Sequence, residues 1–166
     1  MNRLRVLLIL LFIGSLVANI GCVKAEQPAK AVTEKSNELT LQWSEDFNAV
    51  QEAAKEKNLP ILINFTGSDW CGWCIKLGTE VFNTKEFIAY ADTSFVLFKA
   101  DFPKSIPQSQ ELKQQNEGLM RKYGVRGFPT IIILAPDGTL IAQTGYQAGG
   151  PIKYIESLEG ILKEKK

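Results

Sequence analysis

The chain of 166 residues contains no histidine, three cysteines, two methionines and almost no net charge. Without histidine, Ser-His and Cys-His nucleophiles and His-metal centres are excluded together. Proton transfer must then use cysteine, carboxylate, lysine, tyrosine or water. With no histidine and no second cysteine pair, a four-ligand zinc site of Cys and His cannot be completed within one chain. Nineteen Lys and Arg against eighteen Asp and Glu give a net charge of +1, with the two signs interspersed. No basic patch therefore marks a nucleic-acid partner. There is also no internal repeat.

What the chain does have is Trp70-Cys71-Gly72-Trp73-Cys74. Two thiols separated by two residues close a small disulfide ring when they occupy the first turn of a helix. The helix N-terminus lends partial positive charge to the first sulfur and favours its thiolate. That thiolate attacks a substrate disulfide, and the second thiol then resolves the mixed disulfide. The competing reading of the same spacing is half of a metal site, or a structural pair.

The N-terminal segment reads as an export signal. Met1-Asn2-Arg3-Leu4-Arg5 is basic, and Val6 to Ile20 is apolar apart from Gly14, Ser15 and Asn19. That run is short for a transmembrane helix. Two processing sites compete. Val23-Lys24-Ala25 fits cleavage after Ala25, whereas Asn19-Ile20-Gly21-Cys22 resembles a lipobox, with cleavage after Gly21 and lipidation of Cys22. Either way Cys71 and Cys74 are left as the only free thiols, outside the cytoplasm, where disulfides persist. Residues 26–38 are polar and read as a flexible tether, followed by one domain over 39–166.

Within that domain, Leu39 to Leu41 is a short strand candidate. Ser44 is expected to cap a helix to Asn58, with Phe47, Val50 and Ala54 at helical spacing. Ile61-Leu62-Ile63-Asn64-Phe65 has the unbroken apolar character of a central strand. A helix is expected from Cys71 to Phe82, and a second, capped by Asn83 or Thr84, through Tyr90. Phe95 to Phe98 is another buried strand, ending at Lys99-Ala100-Asp101; residues 102–108 are a loop, and Ser109 to Tyr123 is a helix. Thr130 to Leu134 and Thr139 to Thr144 form a hairpin about Pro136-Asp137-Gly138, and Pro151 to Lys163 closes the chain. This order predicts an α/β domain, with a mixed sheet of four to five strands covered by helices on both faces.

The cysteine motif after a buried strand, and Tyr123-Gly124-Val125-Arg126-Gly127-Phe128-Pro129-Thr130 before the hairpin, together resemble the thioredoxin family over roughly Leu39 to Leu162. The Thr66-to-Cys71 run is most similar to exported bacterial members and to the C-terminal domains of membrane disulfide reductases. The resemblance implies a thioredoxin fold, with Cys71 the exposed nucleophile and Cys74 the resolving thiol. It also implies a redox Cys71–Cys74 disulfide and a cis Pro129 beside it, with the Phe128 backbone open to an extended substrate.

Departures from the family stand beside that likeness. The dipeptide between the cysteines is Gly72-Trp73, where thioredoxin has Gly-Pro, so the potential is not inherited. Asn64 stands where the family carries a buried acid, and it cannot accept a proton. Lys99 matches the family's lysine near that site; it either favours thiolate or simply reaches solvent. Trp70 reads as a packing lid or a binding residue, and Trp73 as a docking surface or a cap. Asp69 reads as a turn former or an influence on Cys71. Tyr146, Gly149 and Gly150 form a loop that either approaches Pro129 or merely connects.

The expectation is an exported, periplasmic thiol:disulfide oxidoreductase, monomeric, with no metal or organic cofactor. It would act on protein thiols and disulfides, as a reductant fed by a membrane disulfide reductase, with membrane attachment through Cys22 under the lipobox reading. The alternatives are an oxidase or isomerase, or a thioredoxin-fold assembly factor that binds a metal or a client.

Overall fold

The apolar runs of the sequence become four strands in the computed structural model, which describes residues 40–164. The segment read as an export signal (with Cys22), the expected tether 26–38 and Leu39 lie outside the described residues. The elements are α1 (Phe47–Lys57), β1 (Ile61–Thr66), α2 (Gly72–Leu77), a π-helical turn (Gly78–Phe82), α3 (Lys85–Ser94), β2 (Val96–Asp101), α4 (Gln110–Lys122), β3 (Thr130–Leu134), β4 (Leu140–Thr144) and α5 (Gly150–Lys163). The sheet order is β2-β1-β3-β4, with β1 parallel to β2 and antiparallel to β3.

The period of two along the central strands sorts the core into two layers. Ile61, Ile63 and Phe65 of β1 join Phe98, Ala100, Ile132 and Leu134 under α1 and α4, through Phe47, Val50, Ala54 and Leu119. Leu62, Leu97, Ile131 and Ile133 face the other way, onto Leu77, Val81, Phe82, Phe87, Ala91, Tyr154 and Leu158. This is the α/β sheet with helices on both faces that the alternation of elements predicts. Full burial of each aliphatic side chain contributes about 1.5–3 kcal/mol, so the central strands β1 and β3 carry much of the stability.

Three local expectations are corrected. The first helix is capped by Asp46, whose side chain accepts from the Ala49 amide. Ser44 instead bridges to the sheet, donating its amide to Leu97 O and accepting from the Lys99 amide at 2.9 Å. Its backbone is committed to β2 and cannot start a helix. Thr40 and Leu41 are not in a strand; Leu41 and Trp43 pack on the core instead. The helix expected through Phe82 ends at Leu77, and a π turn closes with the Asn83 amide on Gly78 O at 2.8 Å. The wider turn buries both Val81 and Phe82.

The register places the site. Phe65 pairs with Thr130, and Thr66 pairs with Asp101. The chain leaving β1, the chain entering β3 and the chain leaving β2 therefore meet at one end of the sheet.

Candidate active site

The turn leaving β1 delivers the cysteines. The Cys71 amide donates to Gly67 O at 2.8 Å, and the Ile75 amide then donates to Cys71 O, starting α2. Cys71 is the N-cap of α2, and its sulfur accepts from the Cys74 amide at 3.2 Å. The two sulfurs are bonded as a disulfide, with Cα atoms 5.2 Å apart. An amide aimed at the first sulfur favours negative charge there when the pair is reduced. Exposure does not separate the two residues: Cys71 is 7% and Cys74 8% exposed. The resemblance implied an exposed Cys71, whereas the structure distinguishes the two sulfurs by the hydrogen bond and not by accessibility.

Tryptophans flank the disulfide. Trp70 is 43% and Trp73 58% exposed. Trp70 donates its indole N–H to Phe102 O at 2.8 Å, and its ring lies over Gly67, where a Cβ would fall 2.5 Å from Cε2. Only glycine fits under that ring. Trp73 packs on Tyr146 with centroids 5.2 Å apart, and Lys76 lies over both rings. The Tyr146 hydroxyl donates to Glu80 at 2.6 Å; that bond and burial raise its pKa. Lys76 is raised too, first by its hydrogen bond with Tyr146 and then by the Glu80 charge.

The Phe128–Pro129 peptide bond is cis. Phe128 stacks on Phe102 at 5.0 Å and meets Trp70 edge-on at 6.1 Å. Pro129 borders an open groove of about 490 Å³, lined also by Gly124, Arg126, Gly127, Phe128, Thr130 and Gln143. Gly145, which follows β4, lies close to it: a Cβ there would be 3.1 Å from Pro129 O. Gly149 and Gly150 belong to the start of α5, both with positive φ.

Asn64 sits in β1 on the Leu62 face, the side that carries α2. Its Oδ1 is buried without a hydrogen-bond partner among the described residues. Across the β1–β2 register stands Lys99, whose ammonium lies 3.2 Å from Glu45 and 4.0 Å from Asp101. Gly72 opens α2, with open space where a Cβ would point.

Two acids hold the redox turn, and of these sequence reasoning missed Asp101. The buried Asp101 carboxylate accepts the Ser68 amide at 2.9 Å and the Ser68 hydroxyl at 2.6 Å. Asp69 accepts the Lys104 amide at 2.9 Å and the Ser105 amide at 2.6 Å, and those donors depress its pKa. The only sequence signal was an acid at the end of a buried strand, and its partner 33 residues away is visible only through the register. Among the described residues no three Cys, Asp or Glu side chains converge as a metal site.

Two cysteines joined at a helix start, flanked by exposed aromatics and an open strand entrance, make a dithiol–disulfide exchange site. A family model described as a thioredoxin-like domain matches residues 47–155. The disulfide bond reductase DsbH of Chlamydia pneumoniae is 32% identical over 156 residues, covering 92% of this chain and 93% of the relative. The thioredoxin-related protein DsbJ of the same organism is 29% identical over 143 residues, 82% of this chain and 41% of its own length. A solved structure of a DsbH oxidoreductase superposes with a TM-score of 0.71 at 34% identity, covering 75% of this chain and 85% of that one. The chain belongs to the thioredoxin-like family. It is a thiol:disulfide oxidoreductase of the Dsb type, with Cys71–Cys74 as its disulfide.

Proposed function

We propose that the chain is an exported protein-disulfide reductase, with Cys71 the attacking thiol and Cys74 the resolving one. The Cys71 sulfur at the start of α2, accepting the Cys74 amide, carries the assignment of roles. The relative named a disulfide bond reductase, matched over nearly its whole length, supports the direction. The Cys71 thiolate attacks a substrate disulfide and one substrate thiolate leaves. The Cys74 thiolate then attacks the Cys71 sulfur and the second substrate thiolate leaves. The substrate disulfide ends as two thiols, and the protein dithiol ends as the disulfide.

The Phe128–Pro129 entrance to β3 is the proposed docking edge for an extended substrate, with Trp70 and Trp73 as flanking contacts. Electrons would return through a membrane disulfide reductase. The basic, then apolar, sequence of residues 1–25 supports export to the periplasm. Cleavage after Gly21 would lipidate Cys22, and cleavage after Ala25 would remove it. Residues 26–38 then tether a monomeric domain.

Mixing the reduced full-length protein with a protein disulfide tests the assignment. A Cys74→Ser variant should accumulate a mixed disulfide on Cys71, and Cys71→Ser should accumulate none. Mass spectrometry placing the adduct on Cys74 would reverse the roles. Loss of substrate disulfide without stoichiometric formation of Cys71–Cys74 would remove the exchange mechanism.

A further inference from the structure

The segment after β2 is held against the redox turn by contacts that the exchange reaction itself does not use. Trp70 binds Phe102 O through its indole N–H, and Asp69 takes the amides of Lys104 and Ser105. The backbone of 102–105 is thereby fixed beside Trp70. Lys104 Nζ consequently lies 4.2 Å from the Trp70 ring centroid. Trp70, Phe128 and Phe102 form an aromatic platform from the cysteine motif to Pro129, with a cation on its Trp70 ring.

Charge around the disulfide is lopsided. On the Trp73 side, Lys76 meets Glu80 at 3.7 Å, and Tyr146 binds the other Glu80 oxygen, so those two charges offset each other. On the Trp70–Phe128 side, neither Lys104 nor Arg126, which lines the groove at Phe128–Pro129, has a carboxylate partner among the described residues. Asp69, the nearby acid, is turned onto backbone amides. We infer that Lys104 is a specificity-determining residue, favouring protein disulfides whose cysteine is flanked by an acidic side chain. The inference rests on disulfide exchange at Cys71–Cys74 and is independent of which direction prevails in the cell.

The test uses three homodimeric peptide disulfides, with the cysteine flanked by Glu, Gln or Lys. Rates of oxidation of the reduced full-length protein are measured by acid quench and thiol alkylation. Each is divided by the rate of the same peptide with dithiothreitol, which removes intrinsic reactivity. Exposed ion pairs are weak, so the normalised Glu-to-Lys ratio should be roughly 1.4- to fivefold in the wild type and fall in high salt. Lys104→Gln should lower it and Lys104→Glu should lower it further, Arg126 supplying what remains, with the Cys71–Cys74 potential against glutathione unchanged. A ratio identical in wild type and Lys104→Glu, or one indifferent to salt, would overturn the inference. Failure of the reductase direction would show instead in the potential, with the peptide ratio intact.

Discussion

Asn64 lies on the face of β1 that carries α2, where an amide stands in place of an ionisable side chain. Its Oδ1 is buried with no hydrogen-bond partner among the described residues, so an acid placed there would be buried without a donor. Burial disfavours the charged form and raises a carboxyl pKa. The sign for Asn64→Asp follows: the folded variant holds its proton to higher pH than the unfolded chain. Its stability relative to wild type should therefore fall as pH rises from about 3.9 through the raised value. The loss should reach at least about 1–3 kcal/mol at neutral pH, read from urea melts at pH 4 and pH 8. The pH–rate profile for resolution of a Cys71 mixed disulfide should also gain an ionisation. A stability difference independent of pH would contradict the burial argument. The cysteines and Phe128–Pro129 were readable as residues because each belongs to a short motif, and the place of Asn64 in β1 was readable from the apolar run around it. Cys71 and Cys74 were not separable by exposure, because both flank one ring closed over the same turn.

At the scale of elements, the redox turn and the 102–105 segment form one unit. Asp69 binds two amides of that segment, and its pKa is lowered by them. A depressed carboxyl contributes stability that is present above its unfolded value, about 3.8, and lost as pH falls through the folded value. The stability gap between wild type and Asp69→Asn should therefore close below pH 3.8. Hydrogen exchange at Lys104 and Ser105 should be faster in Asp69→Ala at neutral pH, while the β3 amides stay protected. Unchanged exchange at those two amides would dissolve the unit. Strand β3 and the Ser109-capped α4 were readable because propensity, cap and apolar run agree locally. The N-cap of α1 and the π turn were not, because each is decided by a distant partner: Leu97 and Lys99 hold Ser44, and core space takes Phe82. The 102–108 loop carried no motif at all, and its place at the site comes from the Thr66–Asp101 register.

For the whole molecule, the sheet brings three chain segments to one end and leaves two cysteines there under flanking tryptophans. That architecture serves reduction, oxidation or isomerisation equally, because the direction is set by the relative stability of dithiol and disulfide. The Gly72-Trp73 dipeptide lies inside that balance, so fold likeness does not determine it. The decisive measurement is the Cys71–Cys74 reduction potential of the full-length protein, equilibrated with glutathione or dithiothreitol and read by alkylation and mass. A disulfide reductase requires a strongly reducing value, near about −270 mV, whereas a value near about −120 mV would make the chain an oxidant and contradict the proposed direction.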